Sequence, residues 1–310
     1  MSTSKSNSTS MRSDVYQRIT DTIVDQLEAG VRPWHQPWGA NGTTTRPLRH
    51  NGVPYRGINT VLLWMAATSE GFCSPFWMTY RQAQELGGQV RKGSKSTLVV
   101  YAGAIEKTAE TETGEEIEQR IPFLKGYCVF NCDQIDNLPD RFHPAPVVPA
   151  DPKQRIVNAD EFFANTRADV RFGGNSAFYM PSGDFIAMPV FDAFESAASY
   201  VSVLAHETVH WTKLPSRCDR DLGRKVWGDA GYALEECVAE IGACLICADL
   251  GVEDHPREDH AAYIGSWIKI LKNDRRAIFT AASHAEKAVQ YLHQLQPGSI
   301  STDAAAALAA

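Results

Sequence analysis

Between positions 14 and 29, apolar residues recur at about four-residue spacing: Val15, Ile19, Ile23 and Leu27. That spacing lines one helical face and predicts a helix, with Ser13 able to cap its start and Gly30 able to end it in a left-handed conformation. The pattern then breaks. Pro33, Pro37, Gly39, Gly42, Pro47, Gly52 and Pro54 make 31–55 mostly loop, although Trp34 and Trp38 lie within it. Short helices are predicted over 59–69 and 80–86. Segments 97–105 and 121–130 read as strands, with the acidic, Thr/Glu-rich stretch 106–119 as a solvent-exposed hairpin excursion between them.

Pro139, Pro144, Pro146, Pro149 and Pro152 resist both helix and central strand and mark a boundary. Beyond them Asn158 can cap a helix reaching 167. Strands at 176–180 and 184–188 follow, with Ser182 and Gly183 as their turn. Helices are predicted over 194–211, 233–250, 259–272 and 274–295, and Pro215 falls in a loop. The fold class expected is α+β with two domains. The boundaries are 1–11 for a disordered tail, 12–137 for a first domain, 138–153 for a linker, 154–296 for a second domain and 297–310 for a flexible tail.

With 310 residues, 44% of them hydrophobic, the chain can bury one large core or two ordinary ones. A formal charge of -7 argues against nonspecific adhesion of the whole molecule to nucleic acid. Locally the balance reverses, because 30–103 holds eight basic residues against Glu70 and Glu85. Aromatic rings are interleaved with these cations. Cations that neutralise phosphates, beside rings that stack on unpaired bases, suit single-stranded nucleic acid. The candidate contacts are Arg32, Trp34, Trp38, Arg46, Arg49, Tyr55, Arg56, Trp77, Arg81, Arg91, Lys92 and Lys95. Trp64 reads as core, Trp77 as core or contact, and Trp34 and Trp38 can instead form a lid on the first helix.

Seven cysteines lie scattered without a repeated spacing, and the Cys244–Cys247 pair sits in an apolar run. They read as core thiols of a reducing compartment, so a cytoplasmic location is expected. The Ser/Thr-rich start lacks the apolar core of a signal peptide, and no run approaches the roughly 20 apolar residues that span a bilayer. No membrane partner is expected.

The sharpest chemistry lies on the predicted helix 194–211. His206 and His210, four positions apart, stack on one face where two ring nitrogens can meet one metal ion. Glu207 can take a proton from an attacking water. A third ligand is expected from 233–250, where Glu235, Glu236 and Glu240 stand among apolar residues. Glu236 and Glu240 share a face. Glu236 is assigned as ligand and Glu240 as the group that orients a ligand histidine, with the reverse left open. Glu235 falls on another face and is expected to be solvated or paired with Arg224 or Lys225. The ion expected is one divalent metal, Zn2+ first, with Mn2+ or another transition metal as alternatives. Tyr232, His255, His260 and Tyr263 are open candidates for stabilising an oxyanion.

Several motifs together resemble the plasmid-borne antirestriction proteins of the ArdC type, whose first domain also occurs attached to conjugative plasmid primases. In the first domain the likeness rests on Trp34, Pro37, Trp38, Tyr55, Arg56, Gly57 and Asn59. It continues through Trp77, Thr79, Gln82, Ala83, Gly87, Gly88, Val90, Arg91, Gly93, Lys95 and Ser96 to Val129, Phe130, Asn131 and Gln134. In the second it rests on His206, Glu207, His210, Trp211 and Thr212, then Glu235, Glu236, Val238, Ala239, Glu240 and Gly242, and finally His260, Ala261, Ala262, Tyr263, Ile264 and Trp267. Cys237 stands where an aliphatic residue is usual, a substitution of similar size. The resemblance implies a single-stranded-DNA-binding first domain, a zincin-like, gluzincin-type second domain similar to the ImmA/IrrE metallopeptidases, and protection of incoming plasmid DNA from type I restriction. Its place would then be the bacterial cytoplasm, the recipient cell's included.

Three readings stay open. In one, an antirestriction protein also cleaves a restriction or regulatory protein. In the second, a DNA-coating protein uses its metal domain for stability or partner binding. In the third, a metallopeptidase recognises protein through its first domain.

Overall fold

The computed structural model describes residues 4–34, 46–110, 116–143, 152–223, 230–253 and 260–298. Helix α1 (Ser4–Glu28) starts well before Ser13, so positions 4–11 continue its backbone where a disordered tail was expected. Neither proline nor glycine interrupts that stretch. The helix ends at Gly30, whose φ is 74°. There the Gly30 N–H donates to Leu27 O at 3.0 Å and the Val31 N–H to Gln26 O at 2.9 Å, the paired bonds of a left-handed cap.

The rest of the N-terminal unit comprises β1 (Leu48–Arg49), α2 (Ile58–Glu70), β2 (Phe76–Met78), α3 (Tyr80–Glu85), β3 (Gln89–Val90), β4 (Thr97–Glu110), β5 (Glu116–Asn131) and β6 (Ile135–Asp136). Its main sheet runs β1-β2-β5-β4, with β3 and β6 paired separately. Thr79 and Gln82 cap α3 reciprocally. The β4–β5 ladder extends from Thr97↔Val129 to Glu110↔Glu116. Most of the acidic stretch is therefore ladder, because backbone pairing propagates without apolar side chains once the register is set.

The C-terminal unit contains α4 (Pro152–Thr166), β7 (Asp169–Phe172), β8 (Phe178–Met180), β9 (Phe185–Met188), α5 (Ala197–Trp211), α6 (Ala230–Leu250), α7 (His260–Asn273) and α8 (Ala277–Gln294). Helix α4 begins at Pro152, six residues before the expected Asn158 cap; proline suits a first helical turn because its missing N–H has no partner there. The sheet order is β7-β9-β8, with β7 parallel to β9. Strand β7 was not predicted, being four residues long with only Val170 and Phe172 apolar.

Both units are α+β, and they share a core. Ile19, Ile23 and Leu27 of α1 and Val61 and Leu62 of α2 lie in one buried cluster with Trp267, Ile278 and Val289. Polar ties cross the same seam: Thr20 Oγ1 donates to Arg275 O at 2.8 Å, and Arg46 pairs with Asp249 at 2.7 Å and Glu286 at 3.0 Å. The N-terminal unit is thus fused to α7 and α8 by packing as well as by sequence. Of the expected linker, 144–151 lies outside the described residues. Among the described residues no helix is long and apolar enough to cross a membrane.

Candidate metal centre and nucleic-acid surface

Ser196 caps α5 by accepting from the Ser199 N–H at 3.0 Å, and the helix then carries His206, Glu207 and His210 into the interior, each under 8% exposed. Helix α6 crosses it closely at Gly242. A Cβ there would lie 2.7 Å from Val209 Cγ2, so only glycine allows this approach without displacement. The crossing brings Glu236 to both imidazoles. His206 Nε2 lies 3.1 Å from His210 Nε2, 3.4 Å from Glu236 Oε2, and His210 Nε2 lies 3.5 Å from Glu236 Oε1. Two donors tetrahedrally disposed at about 2.0–2.1 Å from zinc stand about 3.3–3.4 Å apart. The three side chains therefore fit one small divalent ion.

Carboxylates set the outer edge of each ring. Glu235 Oε1 lies 3.0 Å from His210 Nδ1, and Glu240 Oε1 lies 3.4 Å from His206 Nδ1. An acid stands beside each Nδ1, hydrogen-bonded at His210 and at 3.4 Å at His206, and both Nε2 atoms face the shared space. Arg220 donates to Glu235 at 2.7 and 2.8 Å, to Thr212 Oγ1 at 3.1 Å and to Val209 O at 2.9 Å. Arg32 approaches Glu240 Oε2 at 3.7 Å.

Burial opposes ionisation of Glu235, but hydrogen bonds from Arg220 and His210 hold its pKa down at about 2. Burial also opposes ionisation of Glu236, and the two imidazoles hold it well below the usual carboxylate range. Desolvation would lower the pKa of His210, yet the charge of Glu236 and the bond to Glu235 raise it. The pocket thus keeps anionic carboxylates at a site suited to a cation.

Glu235 corrects the sequence reading. It is 5% exposed rather than solvated, and its cationic partner is Arg220. Arg224 and Lys225 lie outside the described residues. The sequence pattern gives Arg220 no role and brings in Thr212 only through the family motif. The available signal was physical: a carboxylate in so apolar a helix needs a buried donor. Tyr232 lies near Glu236, and its hydroxyl lies 3.0 Å from that of Tyr263. Burial first, then these neighbours, raises the Tyr232 pKa above its ordinary value. Of the oxyanion candidates, these two tyrosines meet at the centre; His255 and the His260 side chain lie outside the described part.

The predicted DNA contacts divide sharply. Trp34 is fully buried, edge-on to Trp267 at 5.2 Å between ring centroids. Tyr55 and Trp77 are buried in a small core with Leu63, Val99 and Val129. These rings pack against other parts of the fold and have no face for a base, so the contacts assigned to them are corrected. Arg32 and Arg46 are likewise turned inward, to Glu240 and to Asp249 and Glu286. Arg81 and Arg91 are exposed but paired, with Glu85 at 2.8 Å and Asp136 at 3.1 Å. Arg49, Arg56, Lys92 and Lys95 present exposed side chains. Trp38 lies outside the described residues.

Residues 13–130 match the family described as the N-terminal domain of anti-restriction factor ArdC, and 157–284 match the zincin-like metallopeptidase family. The chain is 41% identical over 290 residues to uncharacterized protein y4eC of Sinorhizobium fredii, covering 91% of this chain and 92% of that one. It is 36% identical over 293 residues to DNA primase TraC of Escherichia coli, matching 88% of this chain and 26% of the primase. A metal-free crystal structure of antirestriction ArdC from plasmid R388 superposes with a TM-score of 0.76 at 48% identity, over 91% of this chain and 97% of that one. Its Mn(II)-bound structure gives 0.75 at 46% identity, over 91% and 98%.

Proposed function

This chain belongs to the ArdC family of antirestriction proteins, and from that premise we propose that it binds single-stranded DNA through its N-terminal unit and shields incoming plasmid DNA from type I restriction in the bacterial cytoplasm. His206, His210 and Glu236 hold one divalent cation, and Glu207 makes the centre a peptidase-type site. The observation that carries the metal reading is the mutual fit of those three side chains, whose donor atoms all lie within 4.8 Å of one another. The Mn(II)-bound ArdC relative supports a divalent ion, and the two-histidine, one-carboxylate set suits zinc equally well.

Such an ion supplies Lewis acidity to a peptide carbonyl and to water. Around it, Glu207 accepts the proton of the attacking water and passes it to the leaving amine. Glu235 and Glu240 fix the imidazole tautomers, and the Tyr232–Tyr263 pair offers phenolic donors for the carbonyl oxygen. The substrate class is an extended segment of a restriction or regulatory protein, laid beside the β8–β9 sheet.

The shared core favours a second reading, in which the metal braces the fold that holds DNA and no cleavage is needed. Restriction protection in recipient cells separates the two. Wild type, Glu207→Gln and Glu236→Ala are compared at equal protein levels. Loss of protection in Glu207→Gln supports chemistry, whereas protection retained in Glu207→Gln and lost in Glu236→Ala supports bracing. Protection retained in both variants removes the metal centre from the function.

A further inference from the structure

The rings expected to stack on bases are buried, but the same unit presents other rings to solvent. Along the β4–β5 ribbon, Val99, Tyr101, Gly103 and Ile105 share a face with their cross-strand partners Tyr127, Lys125 and Phe123. At its base this face is covered: Val99 is buried with Tyr55 and Leu63, with Tyr127 packed against them. Higher up it is bare, with Tyr101 58% and Ile105 56% exposed. On the opposite face α1 packs against the ribbon at the level of Val100, where a Cβ on Gly126 would lie 3.3 Å from Val15 Cγ2, and Leu124 lies against the main core. The ribbon is therefore anchored on one side and open on the other.

Gly103 gives the open side its form. A Cβ there would stand 2.6 Å from Phe123 Cζ and 3.2 Å from Tyr101 Cε1, so both rings settle over the space the missing side chain leaves. Their centroids are 5.7 Å apart, at an angle of 54°. Lys125 is directly opposite Tyr101 in the ladder, and its side chain is exposed. At the covered base the Arg49 guanidinium lies 5.4 Å from the Tyr55 ring centroid, which adds a second exposed cation next to the same face.

Resting on the proposal that the N-terminal unit binds single-stranded DNA, the geometry points to this open face as the place where it does so. Unpaired bases stack on Phe123 and Tyr101, and Lys125 and Arg49 take the phosphates on either side. An exposed ring beside a half-buried one, flanked by cations, complements a polyanion whose bases are accessible, and duplex DNA hides the faces they would use.

Fluorescence anisotropy of the full chain with a labelled oligothymidylate and with a duplex of equal length tests this. Tyr101→Ala and Phe123→Ala should each weaken single-strand binding by about tenfold or more, while Phe123→Trp preserves it. Lys125→Gln should lower the log–log salt slope by about 0.7. Gly103→Val keeps both aromatic residues but forces their rings off the strand, and it should weaken binding as well. Melting curves check that each variant is folded. If wild type binds oligothymidylate and all of these variants bind equally well, the surface is wrong while the DNA reading stands. If wild type fails to bind, both fall. A concentration-dependent dimer that Phe123→Ala dissociates, with DNA binding untouched, would assign the face to a second copy of the chain and overturn the proposal.

Discussion

The carboxylate of Glu235 lies 3.0 Å from Nδ1 of His210, with Arg220 holding both of its oxygens from the far side. A ligand histidine keeps its lone pair aimed only if the other ring nitrogen is fixed. Glu235→Gln keeps the volume but replaces one acceptor with a donor, and should lower metal affinity about 10- to 100-fold. Glu236→Ala should lower it further, and Glu240→Ala less than Glu236→Ala. Competition against a chromophoric chelator measures all three. Wild-type affinity in Glu235→Gln would remove its orienting role, and a larger loss in Glu240→Ala would exchange the assignments of ligand and orienter.

Gly242 sets the spacing on which those distances depend. Its missing Cβ would stand 2.7 Å from Val209 Cγ2, on the turn of α5 between the two histidines. Gly242→Ala should therefore cost about 1–3 kcal/mol in urea unfolding through overpacking. It should also weaken metal binding, because separating α5 from α6 carries Glu236 away from the imidazoles. A variant that is destabilised but binds metal normally would show that the helices adjust elsewhere.

How much of this was legible in the sequence depended on the range of the interactions. The cluster of His206 and His210 could be read because the two histidines repeat at a local helical spacing, and the approach of Glu236 because a third ligand is expected on the apolar helix α6. The seating of Glu235 could not: Arg220 arrives from a loop without periodicity, and α6 is buried around nearly its whole circumference, leaving no polar face. Trp34 and Tyr55 misled for a similar reason. Aromatic rings among prolines, glycines and arginines look like an open binding loop. What covers Trp34 is Trp267, more than two hundred positions later. Phe123 and Tyr101 escaped notice because their exposure depends on where α2 stops covering the sheet.

Arg46 joins the two units, and its loss should be felt by both. The guanidinium is mostly buried between Asp249 and Glu286, so Arg46→Ala removes the cation they share, leaving Asp249 to His293 at 2.8 Å and Glu286 to Arg56 at 4.0 Å, and should cost about 3 kcal/mol. Asp249 also makes the tie sensitive to acid. Burial raises its pKa, but His293 and Arg46 outweigh that and leave it below the ordinary value. A folded-state pKa below the unfolded one means the contribution is complete above about pH 4 and fades as the pH falls through the folded value. Melting temperatures between pH 6 and pH 3 should fall less steeply for Asp249→Asn than for wild type. Parallel curves would show that this carboxylate does not carry the acid response.

Metal binding should stabilise more than the helices that hold it. An ion that binds only the folded chain adds about 2.7 kcal/mol at a hundredfold excess over its dissociation constant. Wild type and Glu207→Gln should gain that stability from Mn2+ or Zn2+, and Glu236→Ala should not. Because α1 and α2 share their core with α7 and α8, the gain should reach the N-terminal unit within a single cooperative transition. Calorimetry gives the number of transitions, and hydrogen exchange at the amides of α2 reports the N-terminal side directly. A second transition confined to the N-terminal unit and indifferent to metal would mean that the seam is weaker than its packing implies. The bracing reading of the metal centre would then be lost, and protection by chemistry or by DNA contact alone would remain.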